Sequence, residues 1–546
     1  MTIIMPSGSY YCFEKKCGLF FWGANGHDAI WHLAIVAVSF SKFPFIMPNF
    51  QGTSLGGYNI FLDLVIYLLS LLKISPLVSY FKLIPIIWFF LFTVLVVKLA
   101  RTIKDSKIFV IWLLFFSYFG SSFTYIFTLF HKKTIWGSSS LISMQSGQMT
   151  TNMQYALSLI FILLILLVIK SNKQSLKTDV LLGVLIFINL GLKFYGGVIS
   201  IIMVCLYYLF EFIKSKLSFF QKVFFLVKKA LIIIPFVSVA LLFFYNLSSS
   251  LKLGSGLIFS PFTTVHPIIE EPLLFYSKKL ADALHFYKGQ GISLKLFLLE
   301  IFSFFLIVFF GMGVRVAGLV YLLVNMIKKK INSFDLIIFL TILLAIFFSY
   351  FFIQRGMWWN TVQFYYYALF LLNIYLALFL SQLDVKKIST IFVFIITVLI
   401  NLPANIDILH DFTQYPAPVY IPKEEIEALK FLKNQPEGIV FTLPYDRDIL
   451  NNKEKPQALF AAVDSSYVPA LSEKQIYLGD LEQLKLTNVQ YEERLKETIR
   501  PNCEFLKQFR YLYFIHTQKG EIIGRCSQLQ KQVIYDNFML SIYSPK

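Results

Sequence analysis

The chain has 546 residues, of which 57% are hydrophobic, 18% are aromatic and only 15% are charged. Soluble domains carry about 25% charged residues, so this composition excludes an ordinary soluble protein and indicates an integral membrane protein. The net charge of +18 comes from short basic clusters between apolar runs. Such clusters are typical of cytoplasmic loops beside membrane helices, so the charge does not predict a nucleic-acid partner.

The first polar segment, GANGHDAIWHLA, precedes every apolar run that is long enough to span a bilayer. Asp28 and His32 are four residues apart, which places them on one face of a helix. The following loop supplies Asn49, Tyr58 and Asp63 as hydrogen-bonding groups. We predict that these five residues belong to a functional site. The alternatives are a solvated interfacial helix for Asp28 and a helix cap for Asp63.

Two apolar stretches before residue 80, at 29–41 and 58–72, are too short to span a bilayer. We predict that both form helices lying in the outer membrane interface, because short amphipathic segments bind there without crossing. No membrane anchor precedes them. We therefore expect a first spanning helix to be encoded upstream of this reading frame.

Ten apolar runs approach the length of about 20 residues that a helix needs to cross a bilayer. The predicted spanning helices are 80–98, 108–130, 155–169, 179–193, 197–213, 230–247, 296–327, 335–353, 363–380 and 389–403. The run 296–327 contains GMGVR, whose glycines predict a kink.

Basic residues concentrate in alternate loops of this arrangement, namely 98–107, 170–178, 214–229, 328–334 and 381–388. The positive-inside rule places these loops in the cytoplasm. The other loops, the residues before 80 and the C-terminal segment then lie outside. We predict a multi-pass protein of the plasma membrane.

Polar residues of the outer loops are candidates for binding a substrate, because polar and ionisable groups near the membrane tend to be functional. They are Gln148 and Asn152 before one helix, Lys193 and Tyr195 in the hairpin LGLKFYGG, and Arg355 beside two tryptophans. An arginine or lysine there suits a phosphate group. A solvated loop, a snorkelling lysine and an interfacial aromatic belt are the alternatives.

From about residue 404 the chain becomes polar and alternates helix and strand patterns, which predicts a small α/β domain. The predicted helices are 424–434 and 490–499, and the predicted strands are 438–444, 510–517 and 537–544. The fold class is therefore a polytopic α-helical membrane domain, 1–403, with 1–79 as its outer first loop, followed by an extracytoplasmic α/β domain, 404–546. Cys503 and Cys526 form either a disulfide or two free thiols.

Several features combine into one pattern: an acidic first loop (NGHDAIWH), the segment PFIMPNFQGTSLGGYNIFLD, many spanning helices and an α/β tail containing YVPALSEKQIYLG, NVQYEER and VIYDNFMLSIY. This pattern resembles the GT-C class of integral-membrane glycosyltransferases. Within that class the chain is similar to protein mannosyltransferases and aminoarabinose transferases, in an uncharacterised branch. Its tail lacks the tryptophan-rich motif of oligosaccharyltransferases, which argues against that branch.

The resemblance implies transfer of a sugar from a polyprenyl-phosphate donor to a glycan, lipid or protein acceptor outside the cytoplasm. In that class the acidic residue of the first loop, here Asp28, acts as a general base or as a ligand of a divalent metal ion. His32 would orient Asp28 or contact the sugar, and Lys193 and Arg355 would hold the phosphate. Two other functions remain open: a transporter or flippase of a lipid-linked glycan, and a non-catalytic membrane protein whose tail binds a partner.

Overall fold

A computed structural model of the protein describes residues 4–137, 145–245, 257–270, 277–354, 358–384, 386–446, 454–517, 526 and 532–545. Before the first long helix lie β1 (Ser9–Phe13), β2 (Lys16–Phe21), α1 (Asp28–Val38) and α2 (Phe61–Leu71). The helical part that follows contains α3 (Pro76–Ile103), α4 (Lys107–Phe119), α5 (Tyr125–Lys132), α6 (Gln145–Thr151), α7 (Met153–Ser171), α8 (Leu176–Leu192), α9 (Phe194–Lys214), α10 (Phe219–Tyr245), β3 (Leu257–Phe259), α11 (Val265–Glu270), α12 (Lys278–Gly289), α13 (Leu294–Met312), α14 (Arg315–Ile327), α15 (Ser333–Phe351), β4 (Phe352–Gln354), α16 (Trp358–Leu380) and α17 (Ile388–Phe412).

The C-terminal part alternates short helices and strands. It contains β5 (Val419–Pro422), α18 (Lys423–Lys433), β6 (Val440–Thr442), β7 (Gln457–Ala458), α19 (Leu459–Ala462), α20 (Tyr467–Ser472), α21 (Leu481–Leu486), α22 (Glu492–Ile499), α23 (Cys503–Leu506), β8 (Tyr511–Ile515), β9 (Val533–Asp536) and β10 (Leu540–Tyr543). Each helix and strand predicted for this part from the sequence is present. The protein is therefore a polytopic helical protein with a C-terminal α/β part.

The chain divides into two compact units. The sheet unit comprises the residues up to Ile86 together with those from Asp411 onwards, and the helix unit comprises Ile87–Leu247 and Gly256–His410. The N-terminal hairpin thus folds with the C-terminal part of the chain.

Eight described helices are long and apolar enough to cross a membrane: α3, α7, α9, α10, α13, α15, α16 and α17. They coincide with eight of the ten predicted spans. The run 108–130 is interrupted, because α4 ends at Phe119 and has only 13 residues. Helix α8 has 17 residues, or about 25 Å at 1.5 Å per residue, which is shorter than a hydrocarbon core of about 30 Å.

The run 296–327, for which we predicted a kink, is broken into two helices. Helix α13 ends at Met312 and α14 begins at Arg315. Gly313 lies between them with φ +57°, a backbone conformation that favours glycine. A Cβ atom at Gly313 would lie 2.4 Å from the backbone oxygen of Ser121. The break therefore requires glycine for two independent reasons.

Side chains of the helix unit satisfy the backbone groups that these breaks leave open. Arg315 is fully buried, and its guanidinium donates to the Ser121 carbonyl at 2.9 Å and to Asn373 Oδ1 at 2.8 Å. Asn401 Oδ1 accepts from the Ser121 amide at 3.0 Å. Irregular backbone in a membrane protein is tolerated where protein groups complete its hydrogen bonds.

Two four-stranded sheets organise the sheet unit, in the orders β1-β2-β5-β7 and β6-β8-β10-β9. Strand β2 pairs antiparallel with β5, with Gly18 opposite Pro422 and Phe21 opposite Val419. This pairing joins the segment before α3 to the segment after α17.

Two disulfides belong to the sheet unit. Cys12–Cys17 joins β1 to β2, and Cys503–Cys526 joins α23 to a later loop. The second resolves the choice between a disulfide and free thiols, whereas the first was not anticipated from the sequence. Cys205 is a free, exposed thiol.

Helix α1 departs from the expectation of an interfacial helix at 29–41. Nine of its 11 residues are buried, including Trp31 and Ile35 at 0% exposure. It packs against α2 and α20, and it therefore forms the core of the sheet unit rather than lying with one face on a membrane.

Candidate functional site

Asp28 is the first residue of α1, where the helix dipole favours a carboxylate. A short 3₁₀ turn, Gly23–Gly26, leads the chain into this helix. The Asp28 side chain remains 47% exposed although nine of the other ten residues of α1 are buried. Asp28 is therefore a partly exposed carboxylate at the start of α1.

His27 is the side chain that fixes Asp28. Its Nδ1 lies 2.9 Å from Asp28 Oδ1, and its Nε2 lies 3.4 Å from Asp480 Oδ1 and 3.8 Å from Glu482 Oε2. Burial by itself lowers the pKa of an imidazolium, but the hydrogen bonds and charges of Asp28 and Asp480 outweigh it and raise the pKa of His27 to about 11. His27 is therefore a cation between carboxylates.

Asp480 is held rigidly by the C-terminal part of the chain. It caps α21, and its Oδ2 accepts from the Ser466 hydroxyl at 2.6 Å. The carboxylate of Asp464 accepts from the backbone amides of Asp480 and Leu481, at 3.1 and 2.8 Å. Burial raises the pKa of Asp464 to about 6.

Asn49, which we predicted to contact the substrate, supports this cap. Its side-chain amide donates to the Asp480 carbonyl at 3.3 Å, and its backbone oxygen accepts from the Gly479 amide at 3.1 Å. Asn49 Oδ1 is buried and has no hydrogen-bond partner among the described residues. The loop after α1 and the loop before α21 thus support each other.

His32 pairs with Asp63 rather than with Asp28. Its Nδ1 lies 3.0 Å from both carboxylate oxygens of Asp63, and both side chains are buried. The rings of Tyr58 and Tyr80 lie 5.6 and 6.2 Å from the imidazole. Burial raises the pKa of Asp63, and the charge of His32 opposes the shift. This pair joins α1 to α2.

The remaining predicted site residues that the structure describes, Gln148, Asn152, Lys193 and Tyr195, lie in the helix unit. Asn152 caps α7 by accepting from the Tyr155 amide at 3.0 Å, while Gln148 lies in α6. Lys193 is buried at the α8–α9 junction, 6.0 Å from the ring centre of Tyr195. The Tyr195 hydroxyl donates to Gln354 at 2.7 Å. Arg355 lies outside the described residues.

The sequence interpretation missed His27 and Asp480. His27 could have been identified from the sequence because it directly precedes Asp28. Asp480 is followed three residues later by Gln483, which reads as an ordinary helix start. In the described parts of the chain, no three His, Cys, Asp or Glu residues are grouped as a metal site requires.

The fold is similar to that of an oligosaccharyltransferase from Archaeoglobus fulgidus, solved in complex with zinc and sulfate. The TM-score is 0.51 at 13% sequence identity, and the match covers 94% of this chain. It covers 66% of the oligosaccharyltransferase chain, so this chain spans just under two thirds of that protein's length. The same enzyme tethered to an acceptor peptide with an NVT sequon matches at TM-score 0.46 and 11% identity, over 100% and 72% of the two chains. Its complex with an inhibitory peptide and a dolichol-phosphate matches at 0.45 and 12%, over 94% and 68%.

No protein-family model matches the sequence. No curated protein matches it either. The similarity to the first of these structures is one of fold.

Proposed function

We propose that the protein is a membrane glycosyltransferase that transfers a sugar from a polyprenyl-phosphate donor to an acceptor hydroxyl on the extracytoplasmic face. The observation that carries the proposal is the placement of Asp28. It is an accessible carboxylate at the start of a buried helix and is fixed by His27, in a chain whose fold is similar to that of an oligosaccharyltransferase.

Two observations support the extracytoplasmic side for Asp28. Both disulfides lie in the sheet unit, which contains Asp28, and disulfides persist in oxidising compartments. Whether eight or ten helices span, an odd number of them separates the basic loops 328–334 and 381–388 from the residues after α17, and basic loops remain in the cytoplasm.

In the proposed reaction, Asp28 accepts the proton of the acceptor hydroxyl. The oxygen of that hydroxyl bonds to the sugar while the bond between the sugar and the phosphate breaks. General base catalysis is worth about 10²–10⁴-fold in rate. His27 and Asp480 keep the Asp28 carboxylate in one position. We assign the departing phosphate to Lys193 and Arg355, because cationic groups stabilise the charge that develops there.

The other predicted residues take secondary roles in this proposal. Tyr58, His32 and Asp63 form the wall behind Asp28, and Asn49 supports Asp480. Gln148, Asn152 and Tyr195 are further candidates for contacting the donor or the acceptor. A divalent cation beside Asp28 is compatible with the class that the sequence resembles, and no step above depends on it.

The test uses the purified full-length protein in proteoliposomes, with radiolabelled mannosyl- and glucosyl-phosphoryl polyprenol and a cell-envelope extract as the acceptor source. Covalent transfer of label that is lost in Asp28→Asn and retained in Glu504→Gln supports the proposal. Glu504 is an exposed carboxylate of α23, with 82% of its side chain exposed. Equal transfer by Asp28→Asn removes Asp28 as the base. Label that crosses the bilayer without product supports a flippase, and neither activity favours a binding protein.

A further inference from the structure

The sheet unit contains an apolar groove on the side of α1 away from Asp28. Its volume is about 570 Å³, within the range of about 300–1,000 Å³ that is usual for ligand pockets. Its apolar wall includes Leu33, Ala37, Pro76, Leu77, Ile426 and Leu471. At 100° per residue, Leu33 and Ala37 lie about 140° and 180° around α1 from Asp28, so this groove is separate from the candidate site.

The groove opens beside the place where the chain enters the membrane. Ser75, Pro76 and Leu77 line it, and Pro76 is the first residue of the spanning helix α3. The neighbouring part of the sheet unit exposes apolar side chains at Leu68, Leu71, Leu72 and Val78, which are 49–72% exposed. Exposed apolar side chains grouped in this way mark a surface that is covered by an apolar partner.

Three lysines of α18 form the rim of the groove. Lys423, Lys430 and Lys433 all line it and lie within about 80° of one another around the helix. Lys423 is 3.7 Å from Glu427, and Lys433 is 2.5 Å from Glu473. The ammonium of Lys430 is exposed and makes no hydrogen bond or ion pair with any described residue. The rim therefore has a net positive charge.

We propose that this groove binds one acyl chain of a bilayer phospholipid whose anionic headgroup contacts Lys430. The apolar wall matches the chain and the lysine rim matches the headgroup, and the start of α3 brings both to the membrane surface. A lysine near an anionic membrane surface contributes a preference of about fivefold for anionic over neutral lipid. The inference does not depend on sugar transfer.

The test places the full-length protein in nanodiscs that contain phosphatidylglycerol or phosphatidylcholine carrying a photoreactive group on one acyl chain. Crosslinked peptides are identified by mass spectrometry after irradiation. We expect peptides that include 75–77 and 423–433 to be labelled about fivefold more by phosphatidylglycerol than by phosphatidylcholine. Inorganic phosphate at millimolar concentration is not expected to compete, because it lacks the acyl chain.

Two variants decide the outcome. Lys430→Gln should reduce labelling by phosphatidylglycerol to the level of labelling by phosphatidylcholine. The control Lys507→Gln, which replaces a lysine of the same unit with a 42% exposed side chain, should leave the labelling unchanged. Ala37→Trp should fill the groove and abolish labelling by both lipids, with its folding checked by retention of both disulfides. Equal labelling by the two lipids, or unchanged preference in Lys430→Gln, overturns the headgroup assignment. Absence of label in the wild-type groove overturns the lipid occupant.

Discussion

The imidazole of His27 lies 3.4 Å from the carboxylate of Asp480, although His27 precedes the first spanning helix and Asp480 follows the last. The other ring nitrogen contacts Asp28 at 2.9 Å. The position of the candidate base therefore depends on a residue of the C-terminal part. In the proposed mechanism, that part is a component of the site and not an appended module.

Replacement of Asp480 by asparagine is expected to lower the pKa of His27, because its value of about 11 depends on the contacts with Asp28 and Asp480. The raised pKa stabilises the folded state fully below about pH 6.5, and this contribution disappears as the pH rises through 11. The stability loss in Asp480→Asn should therefore be largest below pH 6.5. Diethyl pyrocarbonate, which acylates neutral imidazoles, should modify His27 faster in the variant at pH 8.

Glu504→Gln is the matched control for this measurement, because it removes an exposed carboxylate of the same unit. Peptide mass spectrometry distinguishes His27 from the other six histidines. Identical modification rates for wild type and Asp480→Asn would contradict the coupling between the two residues.

Glu425→Gln is expected to stabilise the sheet unit at alkaline pH. Glu425 is fully buried beside the Tyr513 hydroxyl, at 2.8 Å, and burial raises its pKa to about 7. Because the pKa is raised, the contribution of Glu425 to stability is fully present below about pH 4.5 and is lost as the pH rises through 7. The variant should lack this fall in melting curves recorded from pH 4 to 9. Glu427→Gln, 53% exposed on the same helix, should follow the wild-type curve, and a Glu425→Gln curve that does so too would refute the prediction.

Each disulfide is expected to stabilise the sheet unit by an amount that grows with the logarithm of the length of the loop that it closes. The chain-entropy relation gives about 3 kcal/mol for Cys503–Cys526 and about 2 kcal/mol for Cys12–Cys17. The Cys503→Ser/Cys526→Ser pair should therefore lower the melting temperature more than the Cys12→Ser/Cys17→Ser pair. Alkylation of the unreduced, denatured protein should label one cysteine, Cys205. Labelling of three or more cysteines would show that a disulfide is absent from the isolated protein.

Gly313→Ala is expected to destabilise the helix unit, because alanine must adopt φ +57° and approach the Ser121 carbonyl. Backbone conformations of this kind cost about 1–3 kcal/mol. Gly289→Ala is the control, since no atom lies within 4 Å of a Cβ at that position. The two variants can be compared by thermal unfolding in one detergent. Equal melting temperatures would mean that the break between α13 and α14 does not need glycine.

The long apolar helices could be predicted from hydropathy, because the length and apolarity of a run do not depend on which other segments pack against it. Eight of the ten predicted runs are long apolar helices, and GMGVR marked the break at Gly313. The break after Phe119 was missed because the residues that follow it are uncharged. Its backbone groups are satisfied by Arg315 and Asn401, which are distant in sequence.

Only those features of the site that depend on residues close together in the sequence could be predicted. Helical periodicity places Asp28 and His32 on one face, but their partners come from different segments. His32 meets Asp63 from α2, and Asp28 is held by His27, whose second contact is Asp480. Similarly, the apolar surface of α1 suggested a membrane interface because its covering helix, α20, lies more than four hundred residues later.

The pairing of β2 with β5 sets an order of events during biosynthesis. Strand β2 is synthesised before α3, the first spanning helix among the described residues, but its partner strand β5 follows α17, the last of them. At ~5–20 residues per second, synthesis of the stretch between Phe21 and Val419 takes about 20–80 s. During that interval β2 has an unpaired edge, which is a template for aggregation. Assembly of the surface around Asp28 must therefore be completed after membrane insertion, and a chaperone that shields strand edges would assist it.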